Sequence, residues 1–224
     1  MSKQHGILFD VDGVIADSEA VNVRATQKAF ADLLGIDISP DDFRAGIGRG
    51  AESYVRAGAA VHGRELTESE VAAVVQARQD NFLSILATSP LPPYPGVLEL
   101  MQAALAHPDF CVAIATSSTR EKSQAVLDAT GVPYRQMVYI SGDQVTHKKP
   151  HPEVFLSACQ GLNLLPEQCV VIEDAPNGIQ AAKAAGCTCM AVTNTHAADQ
   201  LGQADLVVTS LAGLRLNDLP LQGQ

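Results

Sequence analysis

Asp10 and Asp12 stand two residues apart, just after the apolar run Ile7-Leu8-Phe9 and just before Gly13. In an open α/β sheet, ligands bind beyond the carboxyl ends of strands. Two carboxylates at that spacing can point into one pocket. One can hold a metal ion or attack an electrophile while the other moves a proton. The glycine lets the backbone turn sharply behind them. Asp-x-Asp-Gly alone is a short signal, and its weight depends on what lies downstream.

Three further polar clusters also follow apolar runs. Thr116-Ser117-Ser118 comes after Phe110–Ala115, and hydroxyls with free backbone N–H groups at a helix start suit a phosphoryl oxygen. Lys149 lies in His147-Lys148-Lys149-Pro150-His151-Pro152-Glu153-Val154-Phe155, where prolines shape a loop before a helix and can aim one lysine inward. Glu173-Asp174 ends the run Cys169–Ile172, with Gly178 in the next turn. The carboxylates of the first and last clusters make a hard, oxygen-rich site of the kind Mg²⁺ takes. Each piece has a plainer reading: a helix cap, a solvated lysine, an acidic pair favoured by a helix dipole. Independent accidents would rarely give all four, in this order, at four strand ends.

The elements that must position these groups are legible. Residues 18–34, 50–62 and 67–86 carry helical spacing. Gly35 is a stop for the first, and Thr67 with Glu70 is a capping box for the third. The proline-rich stretch Thr88–Gly96 reads as a link. Beyond it come a strand at Phe110–Ala115, a helix to about Thr130, a strand at Met137–Ile140 and a helix at Pro152–Gln160. A strand at Cys169–Ile172, a helix at Gly178–Ala185 and strands at Cys187–Val192 and Leu206–Val208 complete the pattern. Alternation of this kind predicts a doubly wound, Rossmann-like parallel sheet in an α/β core domain of residues 1–16 and 88–224. Residues 17–87 form an inserted all-helical domain, with hinges near 14–18 and 87–95.

The 224 residues suffice for a sizeable core, and 46% are hydrophobic. With 15 Lys+Arg against 25 Asp+Glu, the net charge of -10 argues against nucleic acid and anionic membranes as partners. Anionic substrates stay open, because a metal and a few placed cations reverse the sign locally. No apolar run approaches the roughly 18 residues of a membrane span, and the first strand begins too early to leave room for a signal peptide. Cys111, Cys159, Cys169, Cys187 and Cys189 contain no C-x-x-C and read as free thiols in a reducing, cytoplasmic compartment. A monomer is expected.

Together Phe9-Asp10-Val11-Asp12-Gly13-Val14, Tyr94-Pro95-Gly96-Val97, Ala115-Thr116-Ser117-Ser118, Lys149-Pro150-His151-Pro152-Glu153-Val154-Phe155 and Glu173-Asp174-Ala175-Pro176-Asn177-Gly178-Ile179 are highly specific. Across nearly the whole chain they resemble the haloacid dehalogenase superfamily, in its small-helical-cap branch of β-phosphoglucomutase and sugar-phosphate phosphatases. The resemblance implies a Mg²⁺-dependent phosphatase of a small phosphorylated metabolite, with residues 17–87 as the cap. Asp10 would be the nucleophile, and Asp12 the acid that then activates water. Thr116 and Lys149 would hold the phosphoryl oxygens, with Ser117 and Ser118 behind Thr116 at the substrate. Asp10, the backbone carbonyl of Asp12, and Asp174 would bind Mg²⁺, with Glu173 bound directly or through water. Gly46-Ile47-Gly48-Arg49 resembles a specificity loop, and Arg78 falls where relatives carry a basic residue; both arginines would meet the substrate's remote anion.

Other chemistries fail on the residues. Val14 and Ile15 exclude an EF-hand loop at Asp10. A P-loop lysine motif and G-x-S-x-G are both missing. The proline between His147 and His151 argues against a helical metal pair. Asn22 stands where β-phosphoglucomutases carry a histidine. It cannot titrate, which favours hydrolysis over the alternative, a sugar phosphomutase.

Overall fold

A computed structural model describes residues 5–46 and 50–221. The chain divides into two compact units, one of residues up to Asp17 and from Leu91 onward, the other of Ser18–Pro90. In chain order the elements are β1 (His5–Phe9), α1 (Ser18–Leu34), α2 (Ala51–Val61), α3 (Glu68–Thr88), α4 (Val97–Ala106), β2 (Phe110–Ala115) and α5 (Arg120–Thr130). They continue with β3 (Val138–Ile140), α6 (Glu153–Leu162), β4 (Cys169–Glu173), α7 (Pro176–Ala185), β5 (Thr188–Val192) and β6 (Leu206–Val208).

The sheet runs β3-β2-β1-β4-β5-β6 with every neighbouring pair parallel. A parallel strand covered on both faces reads as an unbroken apolar run. The central strands show it: Ile7, Leu8 and Phe9 of β1 are fully buried, as are Val170, Val171 and Ile172 of β4. Each such side chain contributes roughly 1.5–3 kcal/mol. Leu8 and Val171 pack with Val154, Phe155 and Ala158 of α6 and with Ile179 and Ala182 of α7 in one core cluster. This packing fixes the strand ends from which the polar clusters emerge.

The helical unit has a core of its own. Phe43 stacks on Tyr54 with ring centroids 4.5 Å apart and meets Phe30 edge-on at 5.8 Å. The capping box opens α3: the Thr67 side chain accepts the Glu70 N–H and the Glu70 carboxylate accepts the Thr67 N–H.

Several details differ from the sequence reading, among them the start of β3 at Val138 rather than Met137. Helix α4 lies just beyond the proline-rich link, in residues to which the sequence pattern assigned no element. Its N-cap is Gly96 at φ 88°, which supplies no side-chain cap, so the familiar start signal is missing. Its buried Val97, Leu100, Met101 and Ala104 hold it in place instead. A 3-10 turn at Pro40–Gly46, which supplies Phe43 to the helical core, was not foreseen either. Cys187 is not part of β5, which starts at Thr188 after the Gly186 cap of α7. All five cysteines are free thiols; Cys111 is partly exposed and the others are buried. Among the described residues, no helix is long and apolar enough to cross a membrane.

Candidate active site

Ladder hydrogen bonds carry the first polar residues just past the strand ends. The Asp10 N–H donates to the Ile172 carbonyl at 3.1 Å, and the Thr116 N–H donates to the Ile140 carbonyl at 3.0 Å. The chain then turns at Gly13, whose φ is 77°. A Cβ there would collide with the Asp174 carboxylate, so this position needs glycine twice over.

Lys149 comes from the loop between β3 and α6. Glu153 shapes that loop by accepting the Thr146 N–H at 2.8 Å and the His147 N–H at 2.9 Å. The Ser117 hydroxyl accepts the Lys149 N–H at 3.3 Å. The lysine side chain is only 8% exposed. Its Nζ lies 2.8 Å from Asp10 Oδ1 and 2.7 Å from Glu173 Oε1, and 4.7 Å from the centre of the Phe155 ring.

Glu173 ends β4 with both oxygens engaged. Oε1 meets Lys149, and Oε2 accepts the N–H groups of Asp174 at 2.8 Å and Ala175 at 3.0 Å. Gly178 makes room for it, because a Cβ at Gly178 would overlap the Glu173 carboxylate. Gly178→Ala should therefore shift Glu173 and, through it, the Lys149 ammonium. Misplacements of that kind lower turnover by up to about 10²-fold. Steady-state kinetics on a variant with an unchanged circular dichroism spectrum would check this, and an unaltered rate would show that the position of Glu173 is immaterial.

Burial pushes the Asp10 carboxyl well above its ordinary range; Lys149 opposes the shift, while Glu173, Asp12 and Asp174 add to it. Asp174 is pushed up to about 7 by burial and by Glu173, against a hydrogen bond from the Thr195 hydroxyl. Burial alone would lower the Lys149 pKa, but Asp10 and Glu173 outweigh it and hold the ammonium protonated.

Asp10, Glu173 and Asp174 each offer an oxygen within 4.8 Å of the others, all from buried residues. Crowded carboxylates held out of water are short of positive charge, and an all-oxygen donor set of this kind fits a hard divalent ion such as Mg²⁺. Without a metal, the raised carboxyls bind protons more tightly in the native state than in the unfolded chain. Stability should then fall as pH rises from the ordinary carboxylate range, about 4, through about 7 for Asp174. Metal-free protein should melt on the order of 5 °C higher at pH 5.5 than at pH 8, and Mg²⁺ should close most of that gap. A melting temperature that rises with pH in EDTA would contradict the charge balance described here.

The Asp12 side chain stands outside the carboxylate cluster. The Ser118 hydroxyl donates to Asp12 Oδ2 at 2.6 Å, and the Ser118 N–H donates to Thr116 Oγ1 at 3.1 Å. Asp10, Ser117, Lys149, Glu173 and Asp174 thus join in one network, in which Ser117 steadies the Lys149 backbone. Asp12, Thr116 and Ser118 form a second, in which Ser118 orients Asp12. Arg78 belongs to the helical unit, where it donates to Thr26 Oγ1 at 2.9 Å and Asn22 Oδ1 at 3.1 Å and lies 5.0 Å from the Tyr54 ring centre. Arg49 lies outside the described residues.

Two contributors escaped the sequence reading. The Thr195 hydroxyl donates to the Asp174 carboxylate, and the Asn194 amide donates to the Gly13 carbonyl at 2.8 Å. Both follow the end of β5, so the strand-end rule extended by one strand would have found them.

A doubly wound parallel sheet with buried carboxylates and a buried lysine at its strand ends defines an α/β enzyme core. The chain belongs to the haloacid dehalogenase-like hydrolases, whose family model matches residues 5–186. It is 32% identical over 215 residues to validoxylamine A 7'-phosphate phosphatase of Streptomyces hygroscopicus subsp. limoneus, covering 93% of this chain and 94% of that one. It is 31% identical over 225 residues to SUPPRESSOR OF QUENCHING 1 of Arabidopsis thaliana; this covers 97% of this chain but only 21% of the larger protein. Among solved structures, a CbbY variant from Rhodobacter sphaeroides in complex with xylulose-(1,5)bisphosphate superposes with a TM-score of 0.81 at 28% identity, covering 97% of this chain and 100% of that one.

Proposed function

We propose that this protein is a phosphatase that hydrolyses a small phosphorylated metabolite, a sugar phosphate, through an aspartyl-phosphate on Asp10. The observation that carries this reading is the buried Asp10–Lys149–Glu173 array, with Lys149 Nζ within 2.8 Å of both carboxylates. A buried carboxylate ion-paired with a fixed ammonium suits attack on an anionic phosphoryl group. Phosphorylated compounds in the names of the matched phosphatase and of the matched complex support the substrate class.

In this scheme an Asp10 carboxylate oxygen bonds to phosphorus as the bond to the leaving alkoxide breaks, and Asp12 delivers the proton that the alkoxide needs. Asp12, now a carboxylate, takes a proton from water as that water attacks the acyl phosphate; inorganic phosphate leaves and Asp10 is regenerated. Lys149 and Thr116 hold phosphoryl oxygens, and Glu173 keeps Lys149 in place. Asp10, Asp174 and the backbone carbonyl of Asp12 would hold Mg²⁺. Glu173, with both oxygens already engaged, would reach the metal through water. When bound, the metal neutralises charge on the transferring group. Arg49 and Arg78 are the residues proposed to meet the substrate's remote anion.

Asn22 accepts a hydrogen bond from Arg78 and cannot serve as an acid, which supports hydrolysis over transfer to a second sugar hydroxyl. A panel of phosphorylated metabolites with Mg²⁺ tests the proposal. Inorganic phosphate should form one-to-one with substrate consumed, and β-glucose 1-phosphate should give little glucose 6-phosphate. Isomerisation without phosphate release would move the protein to the mutases.

A further inference from the structure

The loop that carries Lys149 holds a second set of donors that the reaction above does not use. His147 and His151, both exposed, flank the lysine in sequence. The prolines keep them off a helix, as the sequence suggested, yet the loop itself brings the rings together, with centroids 4.6 Å apart. His147 Nδ1 lies 3.0 Å and His151 Nδ1 3.8 Å from the same oxygen, Glu153 Oε2. One donor atom from each of the three residues falls within 4.8 Å of the other two.

Two imidazoles and a carboxylate suit a borderline divalent ion such as Zn²⁺, which also takes water in an open position. Zinc bonds of about 2.1 Å in tetrahedral geometry set ligand atoms about 3.4 Å apart, and the separations of 3.0 and 3.8 Å bracket that value. Small turns of two exposed rings would close the difference. Glu153 is already oriented: the N–H groups of Thr146 and His147 fix its carboxylate and hold its pKa below the usual range. The Nδ1 atom of His151 accepts a long 3.3 Å bond from the Glu153 N–H, a weak contact that a metal bond would replace. As a bare surface ion pair the same contacts would be worth little.

We propose that His147, His151 and Glu153 form a binding site for a zinc-class divalent cation, clipped across the loop that positions Lys149 and distinct from the all-oxygen carboxylate centre. The test uses full-length protein without a polyhistidine tag. Zn²⁺ is titrated calorimetrically in saturating Mg²⁺, which keeps the carboxylate centre filled. Losing outer-shell partners alone costs metal sites about 10- to 100-fold in affinity. His147→Ala and His151→Ala, each removing a direct ligand, should therefore weaken Zn²⁺ binding by at least about tenfold. Both side chains are exposed, so unchanged melting temperatures without zinc should show intact folds. Cu²⁺ as a spectroscopic probe should show electron paramagnetic coupling to two imidazole nitrogens in the parent and to one in His151→Ala. Zn²⁺ affinity in the double variant equal to the parent's, or no measurable binding by the parent, would overturn the site.

Discussion

Asp10→Asn is expected to fold like the parent and to lose at least about 10³-fold in kcat, as removal of a nucleophile does in other covalent enzymes. The exchange is nearly isosteric, but an amide does not form an acyl phosphate. It also removes one negative charge from a site in which burial and three neighbouring carboxylates already press Asp10 toward protonation. The variant should therefore melt no lower than the parent in EDTA, and higher above pH 7. This joint outcome separates loss of the nucleophile from loss of the fold. A folded Asp10→Asn protein with parental turnover would end the assignment, whichever metabolite is used.

Lys149→Met is expected to act on both stability and rate. Removing one partner from a buried ionic cluster typically costs about 3–5 kcal/mol. Here it leaves Asp10 and Glu173 without the ammonium that lies 2.8 and 2.7 Å from them. Urea unfolding in EDTA at pH 8 should show a loss of that order. The loss should shrink toward pH 5, because Asp10 and Asp174, both raised, take up protons there and relieve the uncompensated charge. Mg²⁺ should recover part of the stability but not the rate. The lysine is proposed to meet charge on the transferring group, and loss of one such fixed donor costs about 10²–10³-fold in kcat. A Lys149→Met protein as stable as the parent at pH 8 in EDTA would mean that the carboxylates do not depend on this cation.

Much of the sheet was legible in the chain. Phe110–Ala115 and Leu206–Val208 read as strands with the bounds they have, because each is a continuous apolar run; the first is an inner strand buried over Val112–Ala115, the second a half-buried edge strand. Thr67 and Glu70 announced the start of α3, because a capping box is a local hydrogen-bond device written in adjacent residues. Helix α4 was not legible: its cap is a glycine with no side chain to signal it, and packing against the sheet is what holds it.

The candidate site divides along the same line. The sequence by itself determined which groups stand at strand ends, since the strand pattern and the polar residues closing each run are local: Asp10 and Asp12, Thr116, Glu173 and Asp174; Lys149 instead comes from the loop after β3, which ends at Ile140. Only the tertiary structure decided their partnerships, because those depend on which strands are neighbours and on loops whose paths no period encodes. It placed Ser118 on Asp12 rather than leaving it a generic hydroxyl, and tied both oxygens of Glu173 to Lys149 and the backbone. It brought Thr195 to Asp174 across 21 residues of chain. Hydrogen bonds between residues far apart in sequence leave no periodic trace; they exist only once packing has set the strand ends side by side.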